Sequence, residues 1–96
     1  MTMDIAIGDI VTATAGRDAG KLFFVTEVQE GYFLLSDGKG RKLESPKRKK
    51  AKHAALMMTG TDRAAEKLRS KEKITNSELR KALAVIGGNG NENQEG

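Results

Sequence analysis

The 96-residue sequence contains no cysteine, one proline, one histidine and only four aromatic residues, three Phe and one Tyr. Without cysteine there is no disulfide framework and no thiolate metal site, as is common in a reducing compartment. With so few aromatic side chains, the core must be small and mainly aliphatic. The longest apolar run, residues 54–58, is far shorter than the roughly 20 residues that cross a bilayer. We therefore expect a small soluble protein of the cytoplasm, without membrane association.

Residues suited to catalysis are also scarce. Nucleophilic catalysis needs a base beside its nucleophile, and the only histidine, His53, lies in a lysine-rich run. A metal site needs clustered ligands, whereas the carboxylates of this chain are scattered along it. No close pair of carboxylates recurs on one strand face for acid–base chemistry. The sequence therefore predicts a protein that is not an enzyme and requires no cofactor or metal.

Positive charge is what the chain has in excess, and it is unevenly distributed. The net charge is +4, yet residues 1–38 hold two basic and six acidic residues. Residues 39–52, "KGRKLESPKRKKAK", hold eight basic residues and one acid, and residues 63–81 hold seven and three. Solubility alone does not require such segregation, and a positive field concentrated in a short stretch suits an anionic polymer. The distribution therefore favours a nucleic-acid partner.

Short segments separated by glycine-containing turns predict a mostly β protein. The turns come about every 8–12 residues, and no helical crossover lies between the strands. This pattern favours a small, strongly bent barrel over a parallel sheet. Ser45-Pro46 is expected to end the fourth strand, because proline cannot donate to a strand ladder. The predicted strands are residues 8–15, 21–28, 32–36, 41–44 and 53–58.

The second predicted strand is apolar on both faces. Its side chains alternate, so Phe23 and Val25 point one way while Leu22, Phe24 and Val28 point the other. One of these faces needs a cover, either from elsewhere in the chain or from a protein partner.

The sequence divides into three parts. Residues 1–58 form the predicted barrel, including the basic run 39–53, and residues 61–87 form a helical extension. Within the extension, residues 61–73 predict a weakly amphipathic helix with Thr61 as its N-cap. The polar residues 88–96 predict a disordered tail.

A second helix is predicted more clearly, over residues 74–88. Thr75 and Glu78 have the spacing of a capping box, and Ile74 and Leu79 that of a hydrophobic staple. An apolar stripe at helical spacing is expected to dock on the barrel. The stripe consists of Leu79, Ala82, Leu83 and Ile86.

The segment "AGRDAGKLFFVTEV" places two glycines, Gly16 and Gly20, just before an apolar run. A nucleotide-binding phosphate loop would need G-x-x-x-x-G-K-[ST] followed by a helix. Here the spacing is one residue short, Leu22 replaces the hydroxyl residue, and a strand pattern follows. A tight turn between two strands is favoured instead, with Gly20 free to adopt a positive φ.

Together these segments resemble a known family. "GDIVTATAGRDAGKLFFVTEV" resembles the KOW motif, in which a loop with a key glycine, here Gly20, joins two apolar strands. The continuation "YFLLSDGKGRKLESPKRKKAKH" and the capped helix "ITNSELRKALA" resemble the small bacterial KOW-domain RNA-binding proteins. These are related to KOW-containing ribosomal proteins of the archaeal and eukaryotic large subunit. The resemblance covers nearly the whole chain and implies an SH3-like barrel that binds RNA, with ribosomal RNA on the ribosome as the expected ligand.

Lysine predominates in the basic run, which argues for contacts to the phosphate backbone over reading of bases. Tyr32 is the only tyrosine, so a platform of interleaved aromatic residues for single-stranded RNA is absent. We therefore expect a monomer that recognises the shape and charge of a folded RNA. The candidate RNA-binding residues are Arg17, Lys21, Lys39, Arg41, Lys42, Lys47, Arg48, Lys49, Lys50, Lys52 and His53.

Less specific interpretations stay open beside this one. The lysine run could be a solvated, solubilising loop, and Arg17 and Lys21 could merely offset Asp18 and Asp9. The basic residues of 63–81 are interpreted as members of ordinary surface ion pairs. At the level of function, the alternatives are a protein-interaction module built on the barrel and a general binder of polyanions or duplex DNA.

Overall fold

Five antiparallel strands followed by two helices make up residues 5–87, the part of the chain that the computed structural model describes. A short 3₁₀ turn, Ala51–His53, joins the last two strands. The tail predicted over 88–96 lies outside the described residues. The elements are β1 (Ile10–Ala13), β2 (Leu22–Gln29), β3 (Tyr32–Ser36), β4 (Lys47–Lys50), β5 (Ala54–Met58), α1 (Arg63–Ser70) and α2 (Asn76–Gly87).

The strands form one sheet in the order β4-β3-β2-β1-β5, and every neighbouring pair is antiparallel. This confirms a mostly β fold of five strands with helices at its C-terminal end. Within residues 5–87 the two edge strands, β4 and β5, do not pair with each other. The sheet is therefore not closed, and the predicted SH3-like barrel is not confirmed.

The strand β2 separates two apolar cores, because its side chains alternate between the faces of the sheet. Phe23 and Val25 face the first core and Phe24 faces the second, as the sequence predicts. The two helices therefore supply the cover that the second face needs. The first core consists of Ile5, Val11, Ala13, Phe23, Val25, Phe33, Leu35 and Ala54. The second core consists of Ile10, Phe24, Ala64, Ala65, Leu68, Leu79 and Leu83.

The prediction for Val28 was wrong because β2 is irregular. A register shift between Val25 and Glu27 changes the alternation, so Val28 lies opposite Phe33. Val28 is consequently 44% exposed and does not belong to the second core.

The fourth strand lies later in the chain than predicted. Residues 41–44 form a bend and a turn, and β4 is built from the next segment, Lys47–Lys50. The backbone N–H of Leu43 donates to Oδ1 of Asn76 at 2.7 Å, and the Leu43 side chain packs against the second core. These contacts tie the segment to α2 and keep it out of the sheet. Pro46 precedes β4, a position at which its missing N–H is tolerated.

The helix α1 begins later and ends earlier than predicted. Its N-cap is Asp62, whose Oδ1 accepts from the N–H of Ala65 at 3.3 Å, so the prediction of Thr61 as the cap was wrong. Lys71 adopts a left-handed conformation, with φ of 60°. The N–H of Glu72 then donates back to the Lys67 carbonyl at 2.9 Å, which closes a Schellman motif and ends the helix.

The helix α2 is capped and docked as predicted. The Thr75 N–H donates to Oε1 of Glu78 at 2.8 Å, and the Glu78 N–H donates to the Thr75 hydroxyl at 3.2 Å. Leu79 and Leu83 are buried in the second core, and Ile74 packs against it. The docking of α2 brings Arg80 close to the loop that follows β1 and to the turn that follows β3.

Candidate nucleic-acid interface

The loop between β1 and β2, residues 14–21, is called the glycine loop here. Gly16 and Gly20 have φ of +86° and +87°, a conformation that favours glycine. The N–H of Gly20 donates to the Ala13 carbonyl at 2.9 Å, which returns the chain directly into β2. A strand follows the loop where a phosphate loop would need a helix, so the loop is the turn that the sequence favours.

Asp18 links the glycine loop to two cations. Arg41 donates Nε and Nη2 to its Oδ2 at 3.2 and 2.8 Å, and Nζ of Lys21 lies 3.5 Å from its Oδ1. The hydrogen bond from Arg41 holds the pKa of the Asp18 carboxyl below its usual value, against the opposing effect of burial. Lys21 therefore offsets Asp18, while two cations for one carboxylate leave an excess of positive charge.

Lys49 reaches the same loop from β4. Its Nζ donates to the Ala15 carbonyl at 2.9 Å, although the two residues are 34 positions apart. A Cβ added at Gly16 would lie 3.2 Å from this ammonium, so the absence of a side chain leaves room for it. The glycine loop is thus contacted by cations from its own end, from the turn after β3 and from β4.

Within the basic run, residues Lys47–Lys50 form the strand β4, and this divides their side chains between two faces. Lys47 and Lys49 lie opposite Leu35 and Phe33 of the first core. Arg48 and Lys50 lie opposite Leu34 and Tyr32, on the face of the sheet that is turned away from the first core; this face of β4 is called the outer face here. The four cations of β4 therefore do not share one face of the sheet.

On that outer face, Arg48 stacks on the only tyrosine. Its guanidinium carbon lies 3.7 Å from the centre of the Tyr32 ring, which is the geometry of a cation–π contact. The contact places the guanidinium over the Tyr32 ring and covers that face of the aromatic side chain.

A groove of about 1050 Å³ lies between the glycine loop, the turn 37–41 and α2. Nη1 of Arg80 donates to the Gly38 carbonyl at 2.8 Å and holds the turn against α2. Arg80, expected from the sequence to be a member of a surface ion pair, is instead part of this site. Its position between Leu79 and Leu83, beside the docking stripe, is the signal that could have found it. Four cations line the groove: Lys21, Lys39, Arg41 and Arg80.

Among residues 5–87, the remaining candidates are not joined to the glycine loop by a side-chain hydrogen bond; Arg17 lies within the loop, and His53 contacts it through its backbone. The His53 side chain is half-buried, and its carbonyl accepts from the Thr14 N–H at 2.9 Å. Several exposed cations form no ion pair among residues 5–87. They are Arg17, Lys39, Lys42, Arg48, Lys50 and Lys52.

The second basic group forms ion pairs, in part as expected. Nζ of Lys67 lies 2.6 Å from Oε2 of Glu78 and links α1 to α2. This hydrogen bond lowers the pKa of Glu78. Nη2 of Arg69 lies 3.4 Å from Oδ1 of Asp9, which is buried, so Asp9 is paired from α1 and not by Arg17 or Lys21.

No family model matches the sequence, and a search of curated proteins finds no match. Among the described residues, no helix is long and apolar enough to cross a membrane. Residues 5–87 also contain no group of three or more His, Asp or Glu side chains arranged to hold a metal ion. The relation to KOW-domain proteins therefore stays a prediction from the sequence.

Proposed function

We propose that this chain is a non-enzymatic RNA-binding protein that holds structured RNA against the glycine loop and β4. The observation that carries the proposal is the meeting of Lys21, Arg41 and Lys49 at the glycine loop. These residues come from three segments of the chain, and their charges are brought together by the fold. Lysine and arginine in such an arrangement neutralise neighbouring phosphates and release the counterions that accompany them.

We further propose that the sheet is an SH3-like barrel of the KOW type. The strand order β4-β3-β2-β1-β5 and the 3₁₀ turn between β4 and β5 support this assignment. The hydrogen bond from Nζ of Lys49 to the Ala15 carbonyl supports it as well, because it joins the edge strand β4 to the loop that follows β1. In this assignment the glycine loop is the turn of the KOW motif, with Gly20 as its key glycine.

The kind of RNA follows from the side chains that are exposed. Cations without an acidic partner are available for phosphates, whereas the one aromatic side chain on the outer face is already covered by Arg48. Recognition of backbone shape is therefore favoured over the stacking of successive bases. Ribosomal RNA is the proposed ligand on the resemblance to KOW-containing ribosomal proteins.

Crosslinking in cells tests the proposal. Ultraviolet crosslinking followed by mapping of the contact nucleotides should recover base-paired RNA joined to residues of the glycine loop and β4. Crosslinks confined to single-stranded RNA, or an absence of RNA, would contradict it. Competition between structured RNA and duplex DNA at one fixed salt concentration separates an RNA-binding protein from a general polyanion binder.

A protein partner is the second candidate function, and one observation favours it. The edge strand β5 carries exposed apolar side chains, with Leu56, Met57 and Met58 exposed by 37%, 55% and 41%. The apolar face of β2 that first suggested such a partner is covered by α1 and α2. Sedimentation of extracts with and without RNase distinguishes the two functions, since association that survives RNase would favour a protein partner.

A further inference from the structure

The groove beside the glycine loop has an apolar floor as well as charged walls. Leu22 and Leu83 line it from the edge of the second core, and Ala84 lines it from the exposed side of α2. Its volume of about 1050 Å³ is slightly above the range for small-molecule sites, about 300–1,000 Å³, and is large enough for one nucleotide. A surface that met only phosphates would not need such a floor.

The walls of the groove are positive even though two carboxylates lie among them. Both carboxylates are already engaged by the protein. Oδ1 of Asp37 accepts the backbone N–H groups of Lys39 and Arg41, each at 2.9 Å. Asp18 is bonded by Arg41 and Lys21, as described above. Each carboxylate is thus neutralised or bonded within the protein. With four cations and two carboxylates, the groove carries a net positive charge that attracts an anion.

Cations beside a concave apolar surface match the two halves of a nucleotide. A base that stays stacked in a duplex shows only its edge, whereas an unpaired base can leave the stack and enter a cavity. The cations continue outside the groove at Arg17 and Lys49, where the neighbouring phosphates of the same strand would lie. An isolated anion or an apolar peptide would use only one of these features.

We propose that this groove takes a single unpaired nucleotide of the bound RNA, with its base on Leu22, Leu83 and Ala84 and its phosphate among the cations. The proposal rests on the RNA-binding function argued above. It adds a structural preference: the protein favours RNA helices with a bulged nucleotide over fully paired ones.

The test compares two RNA hairpins that differ only by one bulged adenine, replaced by 2-aminopurine for fluorescence. Wild-type protein should bind the bulged hairpin about tenfold more tightly, as expected if the base buries about 55 Å² of apolar surface in the groove. Its binding should also change the 2-aminopurine emission. The variant Ala84→Phe fills the groove from an exposed position and should lose the preference for the bulged hairpin. Val85→Phe is the matched control, because Val85 is the next residue, is 79% exposed and does not line the groove.

The outcomes separate this proposal from the function on which it rests. Equal affinity of the wild type for both hairpins, or a preference retained by Ala84→Phe, would overturn the nucleotide groove and leave RNA binding intact. Failure to bind either hairpin would overturn both. Binding of adenosine monophosphate as tight as that of the bulged hairpin would assign the groove to a free nucleotide and overturn the proposal.

Discussion

At the scale of single residues, the candidate site depends on a few side chains that hold loops in place. Asp18 is one of them, because it joins the glycine loop to Arg41 and its side chain is only 9% exposed. Gly20 and Gly38 also hold loops in place, and they differ in the atoms that surround them. A Cβ at Gly20 would meet nothing within 4 Å, whereas a Cβ at Gly38 would collide with the backbone of Asn76 in α2.

Replacement of Asp18 by Asn should destabilise the protein in a manner that depends on pH. Because folding lowers the pKa of Asp18, its stabilising effect is present above the unfolded value near 4 and is lost as the pH falls through the lower folded value. We expect Asp18→Asn to lower the free energy of unfolding by about 1–2 kcal/mol at pH 7. The difference from wild type should shrink towards pH 2. Urea unfolding at both pH values measures this, with the exposed Glu30→Gln as control; a difference independent of pH would contradict the assignment.

Alanine at the two glycines should have unequal costs. Gly20→Ala meets no neighbour, so the strain of a positive φ should cost about 1–2 kcal/mol. Gly38→Ala adds a clash with the Asn76 backbone to a similar strain, with φ of +78°, and should cost more than twice as much. Urea unfolding of the two variants compares them directly. Equal costs would mean that α2 does not approach the turn as closely as described.

At the scale of elements, the sequence pattern predicted the strands and helices that are determined by local periodicity and by helix caps. Four strands and both helices lie close to where the pattern places them, and the capping box of α2 is confirmed. The strand β4 was missed because "KRKK" has no β-branched or aromatic residue and is a strand only through pairing with β3. "RKLE" was taken for a strand because its tie to Asn76, more than 30 residues away, cannot be seen in a local pattern.

The same limit applies to the candidate site. Composition identified the cations, but only the packing of α2 and the reach of Lys49 show which of them share a surface. Arg80 belongs to the groove through the docking of its helix, and no charge pattern around it indicates this.

The candidate site therefore depends on the docking of α2 against the second core. Leu79→Ala removes a fully buried side chain from the second core and should destabilise the protein by about 2–5 kcal/mol. The exposed Val85→Ala on the same helix should change stability by less than about 0.5 kcal/mol. Hydrogen exchange should show faster exchange of the amides of residues 79–86 in Leu79→Ala only. Unchanged exchange in that variant would mean that the helix is not held by this contact.

At the scale of the whole molecule, the proposed RNA binding depends on where the positive charge lies. The helices and β4 both carry exposed cations, but the helical ones include members of ion pairs with Glu78 and Asp9. The cations of β4 and the 3₁₀ turn have no such partners among residues 5–87; Lys49 reaches the glycine loop, whereas Arg48 and Lys50 lie on the other face of the strand. Lysine on an edge strand also discourages pairing with other sheets, and this would explain the charges without any ligand. The two explanations differ in one measurable quantity.

That quantity is the salt dependence of binding to a structured RNA, measured for the wild type and two variants that each lose three charges. The strand variant replaces Arg48, Lys50 and Lys52 by Gln, and the helix variant replaces Arg63, Lys73 and Lys81; all six are exposed. With about five phosphate contacts, the slope of log K against log salt concentration should be roughly −3.5 to −4.5 for the wild type and the helix variant. The strand variant should bind more weakly, with a slope smaller in magnitude by about 2–3. Equal slopes for the two variants, or wild-type affinity in the strand variant, would contradict the account.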